Sequence, residues 1–272
     1  MSIIHDKSSR SFNVAVAEAL KKRGLQLENV CNVEDAVEKR LLTEYGAIFV
    51  AHSSVAVPPV CLFAKPDEVV KFQTQIEIMS AEIGDTRIEL QAAAMRALLA
   101  ARAQALTKEN LDITPRGGAE AARRSFEDTV RLWFSRVEPA LAYWHEERRA
   151  ISQADVVELR AMPLRDQIAV VLELETREIF FSKDFSKSIL FSVAAPGASQ
   201  HLSMLAFDAS EFYDARVRAI LADHGWFRTV RHDLPHFTFL GRKESELPGF
   251  GLKRIETEFG EFWIPNADDI EA

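Results

Sequence analysis

Residues 198–208 read ASQHLSMLAFD, an apolar run that carries a histidine, His201, and an aspartate, Asp208, at its two ends. Residues three or four apart share one face of an α-helix, and these two are seven apart. A helix would set them two turns, about 10 Å, apart, too far to share one ion. The spacing suits a loop that runs into a strand, with the chain folding back around whatever the two side chains hold. A second polar island, DLPHF at 233–237, follows about one supersecondary unit downstream and adds Asp233 and His236.

His201, Asp208 and His236 are the donor set of a hydrolytic zinc, which takes three ligands from His and Asp/Glu and keeps a fourth position open. Leu202, Met204, Leu205 and Phe207 would then form the dry shell that keeps such a site rigid. Asp233, three residues before His236, is spaced to take a proton from an attacking water and pass it to a leaving amine. Spacing alone is a weak signal in a chain with seven histidines. His5, His52, His145, His224 and His232 have no partner at ligand spacing and read as surface or capping residues.

Working outward, 188–241 is β-rich, with SILFSV, HLSMLAFD, WFRTV and HFTFLG as strands and one helix, EFYDARVRAILADHG, between them. Upstream, SFNVAVAEALKKRG (11–24) and VEDAVEKRLLTEYG (33–46) carry helical apolar spacing and end on glycine. AIFVA and PPVCLFA read as paired strands, and PDEVVKFQTQIEIMS resumes helical periodicity behind Pro66. Residues 87–110 are alanine-rich and helix-favouring. LDITPRGG reads as a short strand and turn, 123–150 as a long helix or a pair broken at Pro139, and SQADVVELRAM as a helix capped by Ser152. The expected class is α+β: a helix-rich N-terminal portion (1–107), a domain with a small mainly antiparallel sheet flanked by helices (108–255), and a tail (256–272).

The chain has 272 residues, enough for a large core. Its net charge of -8 and the lack of any long Lys/Arg run argue against nucleic acid as partner. There is no G-x-S-x-G, P-loop or G-x-G-x-x-G pattern. Cys31 and Cys61 form no C-x-x-C pair and read as buried, unreactive thiols. No run has the length of a membrane span, and the N-terminus lacks a signal-peptide apolar core, so a cytoplasmic protein is expected.

VAAPGASQHLSMLAFD (193–208) resembles the S-x-H-x-x-G-x-A-x-D signature of the D-alanyl-D-alanine carboxypeptidase family of zinc metallopeptidases, which shares its fold with the hedgehog signalling domain. Ser199, His201, Ala206 and Asp208 match. GWFRTV and DLPHFTFLG (225–241) are similar to the family's closing segment, with Asp233, His236, Phe237 and Gly241 in register. RRSFEDTVRLW (123–133) is similar to its upstream arginine segment. The resemblance spans roughly 108–242.

It implies zinc held by His201, Asp208 and His236, with Asp233 as general base. It also implies an arginine that holds the substrate carboxylate or the developing oxyanion. Arg124 fits the local pattern and Arg116 the expected strand end. Ser199 and Trp226 would line the substrate cleft. The implied reaction is hydrolysis of a peptide bond next to a D-amino acid in peptidoglycan or muropeptides. Without a signal peptide, the chain would meet that substrate through a lysis or delivery machinery, or act on recycled fragments. Three positions depart from the family pattern: Met204 stands at the motif glycine, Asp233 at the glutamate, and Pro235 at an aromatic. The lost glycine and shortened base motivate an alternative, a non-catalytic zinc-binding interaction module.

Overall fold

The computed structural model describes residues 10–267. In chain order the elements are α1 (Phe12–Lys21), α2 (Leu27–Val30), α3 (Ala36–Tyr45), α4 (Pro66–Thr74), β1 (Ile78–Ile83), β2 (Thr86–Gln91) and α5 (Ala92–Glu109). There follow α6 (Phe126–Ala142), α7 (Gln153–Ala161), α8 (Leu164–Glu175), β3 (Ala206–Asp208), α9 (Ala215–Asp223), β4 (Trp226–Phe227), β5 (His236–Phe239), β6 (Leu252–Thr257) and β7 (Gly260–Pro265). The class is α+β.

Three small antiparallel sheets organise the strands. β1 and β2 pair in one, β6 and β7 in another, and β3-β5-β4 form the third. The register of the third sheet puts Asp208 opposite His236 and Phe207 opposite Phe237. Since successive strand side chains alternate between faces, the polar pair lies on one face and the phenylalanines on the other. This brings together two candidate ligands that are 28 residues apart in sequence.

Local chemistry explains several boundaries. Capping boxes open α6 (Ser125 with Asp128) and α7 (Ser152 with Asp155), each filling donors at a helix N-terminus. α6 passes through Pro139 without breaking. Proline deprives the carbonyl four residues earlier of its partner, and here Ser135 O receives Arg136 Nη1 at 3.4 Å instead. α5 starts only at Ala92, because 86–91 pairs with β1. Sheet pairing overrides the helix propensity of that stretch.

Other expectations need correction. AIFVA and PPVCLFA do not pair: Gly46–Val50 is a 3-10 turn, and 51–65 is irregular. Of SILFSV only a 3-10 turn forms, at Ile189–Phe191. LDITPRGG contributes only an isolated bridge, Pro115 to Ala209. The described part of the 256–272 tail is half of the β6–β7 hairpin, its remainder lying outside the described residues. Cys31 and Cys61 are disulfide-bonded rather than free, their Cα atoms 5.3 Å apart across 30 residues of sequence. Linear spacing could not reveal that approach, since it comes from α2 docking beside the 51–65 loop, where Cys61 N–H donates to Val30 O at 2.7 Å.

One core runs across the 107/108 boundary, from Phe12 and Val16 through Leu90 and Leu98 to Phe207, Trp226 and Trp263. A second lies beneath α6, α7 and α8, where Trp133, Val137, Ile168 and Phe181 pack against Ile189 and Val230. These helices fill most of residues 134–190, which are packed scaffold. Burying each such aromatic is worth roughly 1.5–3 kcal/mol. A third cluster, Phe63, Phe72, Phe126 and Leu202, sits directly under the turn that carries His201.

Candidate metal centre

His201 lies on a buried 3-10 turn, Gln200–Ser203, that ends on Met204 in the left-handed region (φ 58°). That conformation is the natural place of glycine, and a methionine there carries a backbone cost of about 1 kcal/mol. Two buried glutamines from the N-terminal half staple the turn. Gln73 Nε2 donates to Leu202 O at 3.0 Å, and Gln91 Nε2 to Ser203 O at 2.8 Å. The N-terminal portion is therefore part of the scaffold of this centre.

His201, Asp208 and His236 come together, all three buried. His201 Nε2 is 3.1 Å from His236 Nδ1 and 3.3 Å from Asp208 Oδ1, and His236 Nδ1 is 3.2 Å from Asp208 Oδ1. The outer ring nitrogens fix the tautomers. His236 Nε2 lies 2.9 Å from Gln200 Oε1, the carbonyl end of an amide whose Nε2 donates to Tyr45 O at 2.8 Å. Nε2 of His236 thus carries the hydrogen. His201 Nδ1 is 3.3 Å from Ala122 O, which can only accept. The two inner nitrogens therefore face each other and a carboxylate oxygen with lone pairs.

Three converging lone pairs repel unless a cation sits between them. Zinc bonds of 2.0–2.1 Å in tetrahedral geometry place ligand atoms about 3.3 Å apart, which matches the observed triangle. The residues fit a divalent cation of that size. Protonation states agree: burial foremost, aided by the Arg124 charge, lowers His201 to about 4, so it is neutral at pH 7. Arg124 Nη2 donates to Asp208 Oδ2 at 2.8 Å, fixing the carboxylate orientation.

The centre forms the floor of a cavity of about 190 Å³ that Asp233 and Ser199 also line. No hydrogen bond of the Asp233 carboxylate occurs among the described residues. Burial pushes that carboxyl up to about 6, Asp208 adding to the effect while His236 and Arg124 oppose it.

Not every sequence candidate reaches the cavity. Arg124 does, but Arg116 is exposed and lies over Phe212, because 115–116 runs along the outer edge of β3. Trp226 faces the other side of the sheet, packed on Phe207 and Phe239. His232 packs against Phe191 outside the cavity lining. His52, His145 and His224 each have a local partner elsewhere, and His5 lies outside the described residues.

Sequence reasoning missed Tyr45, Thr129, Arg136 and Gln200, all of which line the cavity. Gln200 was signalled only by its place beside His201. Arg136, on α6, carried no signal in the sequence. Its Nε donates to Ser192 Oγ at 2.7 Å, and it has no carboxylate partner among the described residues. A second cluster of ligand-type residues, Cys31, Glu38 and Cys61, has its sulfurs bonded to each other.

Gln200→Leu is expected to weaken metal affinity by about 10–100-fold, the usual effect of removing such an orienting partner. Chelator competition on the folded protein measures this; unchanged affinity would remove Gln200 from the account.

No family model, curated protein or solved structure matches the chain. Among the described residues no helix is long and apolar enough to cross a membrane.

Proposed function

We propose that the chain is a zinc-dependent peptidase that hydrolyses a peptide bond next to a D-amino acid in peptidoglycan peptides or muropeptides. The observation that carries the metal reading is the inner triangle of three candidate ligand atoms at 3.1–3.3 Å. The D-amino acid rests on the resemblance of 193–208 and 225–241.

His201 Nε2, His236 Nδ1 and Asp208 would hold the ion, which supplies Lewis acidity toward a carbonyl oxygen and makes a nearby water more acidic. Asp233, without a competing hydrogen bond and with a carboxyl raised toward neutrality, takes the proton of the attacking water. It then returns that proton to the leaving amine. Arg124 holds Asp208 and so keeps the floor of the site rigid. Arg136, the guanidinium with no ion pair, is the residue suited to anchor a substrate carboxylate, which a planar fork binds through two parallel hydrogen bonds. A small cavity closed by such a cation favours trimming of peptide ends over cleavage inside a chain.

The test is to incubate zinc-loaded protein with peptides ending in D-Ala-D-Ala and with muropeptides. Release of free D-Ala is expected, and Arg136→Met is expected to raise KM about tenfold or more with kcat little changed. Zinc-replete protein that cleaves none of these would support the alternative, a non-catalytic zinc module.

A further inference from the structure

The sheet that carries His236 on one face has a second cavity behind it, about 360 Å³ in volume and lined by Trp226, Phe237, Arg218, Arg228 and Gly260. The side chain of Phe237 points the opposite way from its neighbour His236, so this space is separate from the metal centre. Two guanidiniums converge in it. A Cβ on Gly260 would lie 2.8 Å from Arg228 Nη2 and 3.1 Å from Arg218 Nη2. Neither arginine forms an ion pair among the described residues, and close like charges repel.

Their donors are differently engaged. Arg228 is buried, and its Nε, Nη1 and Nη2 donate to the carbonyls of Phe259 and Glu261 at 2.8–3.1 Å. Arg218 uses only Nη1, toward Phe212 O and Tyr213 O, leaving the Nε–Nη2 edge without a protein partner among the described residues. That edge is the one that binds carboxylate or phosphate through two parallel hydrogen bonds. The ring of Trp226 closes one wall of the space and is fully buried, its indole N–H having no partner among the described residues. The carboxylates in the lining do not answer these donors. Glu244 accepts from Trp263, Glu261 pairs with Arg254, and Asp223 is exposed at the end of α9.

We propose that this cavity is an oxyanion site that takes the phosphate or carboxylate group of a small molecule, read by the Nε–Nη2 edge of Arg218. Arg228 supplies positive potential from behind. The proposal is independent of the peptidase reading.

The test uses the full chain, stripped of metal by a chelator. Sodium phosphate and sodium acetate are titrated against sodium chloride at equal ionic strength, followed by tryptophan fluorescence and melting temperature. One or both oxyanions are expected to raise the melting temperature by roughly 5–10 °C at 100-fold excess over Kd. A response to phosphate alone marks a phosphorylated ligand, and a response to acetate alone marks a carboxylate. Arg218→Met is expected to lower affinity at least tenfold. Arg218→Lys, which keeps the charge but loses the fork, provides the same reading if the methionine variant folds poorly. Arg216→Met, on the same helix and paired with Asp214, is expected to leave affinity unchanged. Oxyanion titrations that match chloride, or a response that survives both Arg218 substitutions, would overturn the proposal.

Discussion

Asp233→Asn is expected to leave one equivalent of metal in place while lowering kcat by about 10²–10⁴-fold. The substitution keeps the shape of the side chain and removes only its capacity to take a proton. Because burial pushes the Asp233 carboxyl up to about 6, the wild-type rate should rise with pH along an acid limb near or below 6, the bound cation pulling the midpoint down. The asparagine variant should lack that limb. A second readout guards against misfolding. In metal-free protein the folded-state pKa is raised, so the protonated form is favoured on folding, and that stability is lost as pH rises through about 6. The neutral amide avoids this loss. Asp233→Asn should therefore be more stable than wild type above pH 6, by up to about 3 kcal/mol, and equal to it below about pH 4. An active, metal-replete variant with an unchanged pH profile would remove Asp233 from the chemistry.

Reduction of the Cys31–Cys61 disulfide is expected to have the largest effect on stability. The bond closes a loop of 30 residues, and loop-closure entropy assigns such a crosslink about 3–4 kcal/mol. For a chain of this size that is roughly a 10 °C fall in melting temperature. The loss also reaches the metal centre. The 51–65 loop carries Phe63, whose N–H donates to Gly197 O at 3.0 Å. A Cβ on Gly197 would strike Phe63 O at 2.0 Å, so only glycine permits this approach at φ 83°. Four residues further on is His201. Loosening the loop should therefore weaken metal retention as well as lower the melting temperature. Melting curves with and without a thiol reductant, beside a Cys31→Ser/Cys61→Ser variant that should be indifferent to reductant, measure both. Two titratable thiols in the native, unreduced protein would contradict the pairing.

The parts of the fold legible in the sequence were those set by local rules. Helix ends marked by Ser152 or by Gly46, and the turn-then-strand reading of 198–208, follow from capping and periodicity within a few residues. The candidate ligand set was legible because donor chemistry restricts which side chains a cation accepts. What escaped depends on tertiary approach. The Cys31–Cys61 bond joins partners 30 residues apart, and the pairing of 86–91 with β1 overrides a stretch that reads locally as helix. Trp226 was misassigned to the cleft because sequence proximity to His236 says nothing about sheet face, whereas β4 turns it onto Phe207 and Phe239. Gln200 and Arg136 were overlooked because an amide and a lone arginine carry no spacing signal until the fold aims them at a common cavity.

The most direct test of the metal centre is a crystal structure of zinc-loaded protein with anomalous data collected at the zinc edge. A single strong peak is expected about 2.0–2.1 Å from His201 Nε2, His236 Nδ1 and an oxygen of Asp208. Gln200 should remain hydrogen-bonded to His236 Nε2. A zinc-soaked crystal with no peak among these three side chains, or with the ion held by the outer nitrogen of either histidine, would contradict the account.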